Sequence, residues 1–167
     1  GNGRSARNLP LALADQHRAL PIGRTVRAVL KPRPTRGWDS QLALDLAIGA
    51  GFASIGPVLY RKEVAYLTLK RLHSLSDTVG SGMKLLVVGL NPSPYSADTG
   101  IGYARPGNRF WPAVLQAGIA SIDRDPRHAL RHHGLGMTDL VRRTTRRADE
   151  VSIKEYQVGF ARVARLA

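Results

Sequence analysis

The sequence contains no cysteine, and its aromatic residues are few: five Tyr, three Phe and two Trp in 167 positions. Without thiols there is no disulfide framework, no cysteine nucleophile and no cysteine-based zinc site, which leaves histidine and carboxylate as the only strong metal ligands. A reducing compartment is compatible with this. Acidic residues are also scarce, 12 against 25 Lys and Arg, for a formal net charge of +13. Long apolar runs are missing. The best candidate, Leu42 to Leu59, is interrupted by Asp45, Gly49, Gly51, Gly56 and Pro57, so it reads as part of a water-soluble domain and not as a membrane span. Between Gly1 and Leu20 the only apolar run is Leu9 to Ala14, too short for the core of an export signal. The chain starts without Met and stops at Arg165-Leu166-Ala167, inside a helical pattern without a stop signal, which is the expectation for a fragment cut at its C-terminus.

What is present suits one ordinary domain. With 43% hydrophobic and 22% charged residues the chain can bury a core, and disorder throughout is excluded. Of the 25 basic residues 20 are Arg, whose planar forks hold phosphate bidentately. The excess is not the work of one tail, since 12 basic residues face 5 acidic ones through Gly80 and 13 face 7 beyond it. Nucleic acid is the leading partner; an Arg-rich composition inherited from genome base content is the competing explanation.

Along the chain, residues 1–40 hold Pro10, Pro21, Pro32 and Pro34 without a sustained period and read as loop or tail. Arg61 to Leu72, with Val64, Leu67 and Leu72, suits an amphipathic helix. Leu44 to Gly51 faintly resembles the strand and glycine loop that open an adenosylmethionine-dependent methyltransferase, although Ala47 stands where the first loop glycine belongs. After Gly80-Ser81-Gly82 the character changes. Lys84 to Leu90 predicts a strand buried on both faces, ended by Asn91-Pro92. A loop from Ser93 to Asn108 then leads to a helix from Arg109 to Ala117, closed by Gly118. Asp125 and Pro126 open a second helix that stops at Gly134, Leu135 to Val141 is a second strand, and Ser152 with Glu155 forms a capping box for a last helix. This alternation predicts α/β with a parallel sheet.

In such sheets ligands sit beyond the carboxyl ends of the strands, which directs attention to Asn91. Its amide can donate and accept at once and stays neutral at every pH. Beyond it Tyr103 offers a stacking face, and Arg105 and Arg109 offer phosphate contacts. Phe110 and Trp111 read as core. His128 and His132 are spaced i, i+4, yet only Ala129, Leu130 and Arg131 lie between them, so solvated or phosphate-facing histidines are favoured over a metal site. Arg142, Arg143, Arg146 and Arg147, interleaved with Thr144 and Thr145, form a basic loop suited to phosphate contact or simply to solvent.

The string from Leu85 to Gly118 resembles the mismatch-specific uracil/thymine DNA glycosylase family. The likeness rests on three blocks: Gly89-Leu90-Asn91-Pro92-Ser93, Thr99-Gly100-Ile101-Gly102-Tyr103 and Pro106-Gly107-Asn108-Arg109-Phe110-Trp111. A further stretch, Gly134 to Val141 followed by Thr144 to Glu150, is similar to the family's second conserved region. The resemblance covers about residues 75–167 and implies a three-layer αβα fold of the uracil-DNA glycosylase type, incomplete in this chain because family members continue with two more strands and a second Asn-Pro-Ser-like loop. It implies two parts, a 1–74 extension of unassigned role and a 75–167 glycosylase-like part. By the resemblance Asn91 is catalytic and holds the attacking water. Leu90, Ser96, Tyr103 and Asn108 bind the flipped base, with Ser96 at the pyrimidine C5 edge and backbone N–H groups around Leu90 and Tyr103 on its carbonyls. Arg105, Arg142, Arg143, Arg146 and Arg147 contact phosphate. No metal or other cofactor is implied. The implied partner is double-stranded DNA with G:U or G:T mismatches, uracil being preferred, and the implied setting is a monomer at the nucleoid in a bacterial cytoplasm. Two rivals stand beside this expectation, a non-catalytic basic nucleic-acid-binding module of the same fold and a methyltransferase remnant.

Overall fold

The computed structural model describes residues 5–166, so positions 1–4 of the expected extension and Ala167 of the expected last helix lie outside the described residues. The elements are α1 (Leu9–Ala19), β1 (Thr25–Leu30), α2 (Ser40–Gly49), β2 (Phe52–Ser54), β3 (Leu59–Arg61), β4 (Val64–Arg71), β5 (Leu85–Gly89), α3 (Pro94–Thr99), α4 (Phe110–Gln116), α5 (Pro126–His128), β6 (Leu135–Asp139) and α6 (Ile153–Leu166). A π-helical turn, Ala129–His133, continues α5. The fold is mixed α/β with a parallel β5–β6 pair, as expected. No helix among the described residues is long and apolar enough to cross a membrane.

The segment before residue 75 corrects three expectations. Residues 1–40 are not merely loop: α1 buries Leu9, Leu13, Ala14 and His17 along one stripe and accommodates Pro10 in its first turn, where no intrahelical N–H is required. In β1, Val26, Ala28 and Leu30 alternate inward against Thr25, Arg27 and Val29. Arg61 to Leu72 is not a helix. Ala65, Leu67 and Leu69 alternate with Tyr66, Thr68 and Lys70 in β4, and a window this short satisfies both periods until a pairing partner selects one. Here β1 pairs antiparallel with one edge of β4, and β2 and β3 pair with the other. Lys62 and Glu63 join β3 to β4 at φ 48° and 60°, the left-handed pair that a two-residue type I′ hairpin requires.

The methyltransferase-like stretch is also overturned, because Leu44 to Gly49 lies within α2, opened by Asp39, whose Oδ1 accepts from the Leu42 N–H at 2.7 Å. Its glycines serve packing. A Cβ on Gly49 would lie 2.3 Å from the Asp77 carboxylate, and one on Gly51, at φ 98°, would lie 2.6 Å from the His17 ring. Burial holds the His17 imidazole down to about 4, and its Nε2 sits 3.0 Å from the Leu72 carbonyl. The helices and the inner sheet face close a core around Leu30, Leu46, Phe52, Leu67 and Leu69.

The second half follows the predicted element order. Trp111, fully buried, centres a second core with Val114, Leu135 and Met137. Ser152 and Glu155 exchange the two bonds of the capping box, Ser152 N–H donating to Glu155 Oε2 at 2.9 Å. Two details differ. The Ser93 to Asn108 loop contains the short helix α3, capped by the Ser93 side chain. Secondly, β5 is not buried on both faces: among the described residues it pairs only with β6, and Leu85 and Val88 remain exposed.

A buried ionic knot joins the halves. Arg142 donates to Asp77 Oδ1 at 2.7 Å and to the Gly49 carbonyl at 2.9 Å, while Arg162 of α6 donates to Asp77 Oδ2 at 2.8 Å and to the Asp139 carbonyl at 2.7 Å. Thr138 completes it with a 2.7 Å bond to Asp77 Oδ1.

Candidate active site

The parallel register sets Gly89 beside Asp139, so the carboxyl ends of β5 and β6 open on a common edge. There a cavity of about 260 Å³ is lined by Asn91, Ser96, Tyr103, Arg105, Asn108 and Asp139, among others. A volume below the roughly 300–1,000 Å³ of drug-sized ligand sites suits a single heterocyclic base. A larger cavity, about 480 Å³, lies between α1 and residues 97–101 and 124–127. It shares Ser76 and Thr78 with the first, but none of the residues that end β5 and β6 lines it, and its Arg127 already pairs with Asp15.

Asn91 is pinned by its donors. Nδ2 donates to Thr145 Oγ1 at 2.7 Å, to the Arg143 carbonyl at 3.2 Å and to the Pro92 carbonyl at 3.4 Å. The amide nitrogen is thereby committed to the protein, while Oδ1 meets no donor among the described residues and is left as an acceptor. Tyr103 stands at φ 58°, rare for a residue with a side chain, and its ring stacks on Phe110 with centroids 4.3 Å apart. Trp111 secures the preceding backbone, its Nε1 donating to the Gly102 carbonyl at 2.8 Å. Burial, and after it the Asp139 charge, push the Tyr103 phenol up. Ser96 is buried, and its Oγ accepts from Ser93 Oγ at 3.2 Å. Asn108 has a second duty, since its Oδ1 accepts from the Phe110 N–H at 2.9 Å and steadies the start of α4.

Asp139 is the residue that the sequence reading passed over. Its carboxyl is nearly enclosed, and burial pushes it up to about 6, with Arg142 and Arg162 pulling the other way and Asp77 adding to the rise. Gly89 makes the room: a Cβ there would lie 2.1 Å from Asp139 Oδ1 and 3.0 Å from the Tyr103 hydroxyl. The cues in the sequence were its place in the second strand and in the Gly134 to Val141 stretch likened to the family's second conserved region.

The model of the Uracil DNA glycosylase superfamily matches residues 77–161, half of the chain. The chain belongs to this superfamily. Its function is therefore of the DNA-glycosylase type, that of a hydrolase acting on DNA.

The structure sorts the remaining site candidates. Leu90 lies outside the cavity wall with its side chain exposed, and its carbonyl is taken by the Val141 N–H. Arg142 is corrected: it is buried in the ionic knot and cannot reach a phosphate, because moving a guanidinium away from Asp77 would strand a buried charge. Arg143, Arg146 and Arg147 are exposed. Arg143 pairs with Glu155, which is held down to about 2 chiefly by that bond, and Arg147 pairs with Asp149. The rings of His128 and His132 stack at 4.2 Å, and no group of three metal-ligating side chains gathers among the described residues.

Proposed function

We propose that the chain is a mismatch-specific uracil-DNA glycosylase, hydrolysing the N-glycosidic bond of uracil opposite guanine in duplex DNA, and thymine less well. The observation that carries this reading is Asn91 at the end of β5, its amide nitrogen fixed and its oxygen left open to a base-sized cavity. The target nucleotide leaves the stack and enters the cavity, where Tyr103 faces the base and Ser96 its C5 edge. As the glycosidic bond breaks, its electron pair leaves with the base and the sugar becomes oxocarbenium-like. Backbone N–H groups around Leu90 and Tyr103 stabilise the anionic base where its charge develops. A water held by Asn91 Oδ1 attacks C1′. Asn91 cannot take the proton of that water, whereas Asp139, ionised above about pH 6, can. Arg105, Arg143, Arg146 and Arg147 are the proposed phosphate contacts, and the enzyme acts as a monomer in the cytoplasm.

The direct test is single-turnover release of uracil from a G:U duplex, with A:U, G:T and undamaged duplexes for comparison. Release faster from G:U than from A:U supports the reading, and absence of release from G:U or indifference to the opposing base overturns it.

The role given to Asp139 predicts a pH profile. Excision should rise with pH through about 6 as the carboxylate forms, and Asp139→Asn should flatten the profile and slow release about a hundredfold. Stability moves the other way. The folded chain keeps this proton to higher pH than an unfolded Asp does, so the native state loses stability as pH rises from 3.8 through about 6, and the Asn variant escapes that loss. A profile unchanged by Asp139→Asn would remove Asp139 from the chemistry.

Base choice gives a smaller prediction. A thymine methyl at the C5 edge would disturb the Ser96–Ser93 hydroxyl pair without replacing its bond. Ser96→Ala should therefore lower the ratio of uracil to thymine excision opposite guanine, by about tenfold at most. Paired rate measurements in one duplex context decide it, and a constant or rising ratio shows that Ser96 does not face the base.

A further inference from the structure

The sheet of the first half has one face on the α1–α2 core and the other face outward, and the outward face has no role in the glycosylase site. Strand register places Val29, Tyr66 and Leu59 directly beside one another across β1, β4 and β3. These three apolar side chains are 60%, 44% and 56% exposed. Around this row the same register brings Arg27, Lys70 and Arg61 to the same face, all exposed. None of the three cations has a charged or hydrogen-bonding side-chain partner among the described residues, and the outward strand positions contain no Asp or Glu. The basic excess ahead of the segment 77–161 is thus partly concentrated here.

We infer that this face binds single-stranded nucleic acid, with an unpaired base stacked on Tyr66 between Val29 and Leu59 and the backbone phosphates held by Arg27, Lys70 and Arg61. An aromatic ring on an open sheet, ringed by unpaired cations, is matched by a polyanion whose flat apolar groups are accessible. Duplex DNA satisfies the charge but hides the base faces. An acidic protein would satisfy the charge as well, but gives the tyrosine ring no comparable flat partner. The face is separate from the base cavity, so it would hold a strand whether or not that strand carries a damaged base.

The test is fluorescence anisotropy of the full chain with a labelled 15-mer of deoxyadenosine, a base that a uracil-sized cavity does not read, beside a 15-mer made only of abasic sites. Tyr66→Ala should weaken binding of the deoxyadenosine strand about fivefold to a hundredfold, leave the abasic strand nearly unaffected, and leave uracil release from a short G:U duplex unchanged. Tyr66→Phe should bind as the parent does. Replacing Arg27, Arg61 and Lys70 by Gln should reduce the slope of log affinity against log salt by about 2, on the order of 0.7 per lost phosphate contact, and this variant keeps the proposal testable if Tyr66→Ala fails to fold. Equal losses on both strands, no loss on either, or an unchanged salt slope overturns the proposal. So does sedimentation showing a dimer of the parent that Tyr66→Ala dissolves, which would make the face a contact between copies.

Discussion

Asn91→Ala should lose at least about a hundredfold in single-turnover uracil release while binding G:U duplex almost as tightly as the parent. The amide contributes through geometry. Its nitrogen is fixed by Thr145 and the Arg143 carbonyl, so its oxygen occupies one place relative to the cavity and the water it holds is aimed before the bond breaks. Alanine removes that acceptor and leaves the water to diffuse. Alanine also removes the amide's bonds to Thr145 and to the Arg143 and Pro92 carbonyls, a loss of about 1 to 3 kcal/mol of stability, less than the roughly 5 to 15 kcal/mol that keeps a domain folded, so the rate can be measured on folded protein. Because base stacking and phosphate contacts are elsewhere, duplex affinity is the internal control. If release proceeds at the parental rate, the water is positioned by another group and the assignment fails.

Asp77→Ala should destabilise the fold by about 3 to 5 kcal/mol, a large share of the roughly 5 to 15 kcal/mol that keeps a domain of this kind folded. The carboxylate sits between two buried guanidiniums, and both remain when it is removed. Among the described residues neither Arg142 nor Arg162 has a second salt bridge, and each already has a buried Nε without an acceptor. Two buried cations would then be left with only the more distant Asp139 charge to offset them. Asp77→Asn keeps the shape and one acceptor but not the charge, and should recover only part of the loss. Urea unfolding followed by circular dichroism measures both variants. A change under 1 kcal/mol for Asp77→Ala would mean that the two arginines find water or turn outward.

The contrast between the two halves of the chain shows what a sequence makes legible. In the second half, local signals were redundant: Pro126 behind Asp125, Gly134 after His133, and Ser152 with Glu155 each specify a helix end by their own chemistry, and all three ends are found there. In the first half the signals were ambiguous. Val64 to Arg71 is compatible with both periods, and only the pairing with Thr25–Leu30, some forty residues earlier, makes it a strand. Lys62-Glu63 carries none of the usual Asn-Gly signature, so the hairpin was invisible. The same distinction runs through the site. Asn91, Ser96, Tyr103, Arg105 and Asn108 line one cavity because they follow one strand in one continuous stretch. Asp139 was missed because its importance depends on a neighbour fifty residues away, Gly89, that only the parallel register supplies. Arg142 was misassigned for a related reason, since four arginines within six positions look alike until burial separates one of them.

The ionic knot also bears on transplantation. The stretch shared with the superfamily stops at residue 161, one position short of Arg162, and excludes Gly49, whose carbonyl Arg142 requires. Transplanting the shared stretch alone into another scaffold would carry Asp77 and Arg142 but separate them from two of their companions. The first half and the end of α6 are in this sense obligate passengers: another scaffold could take up this segment with the knot intact only if it brought its own counterpart of Arg162 and a carbonyl to meet Arg142. A chimera built from this chain would therefore keep the knot only if its junctions leave Gly49, Asp77, Arg142 and Arg162 together.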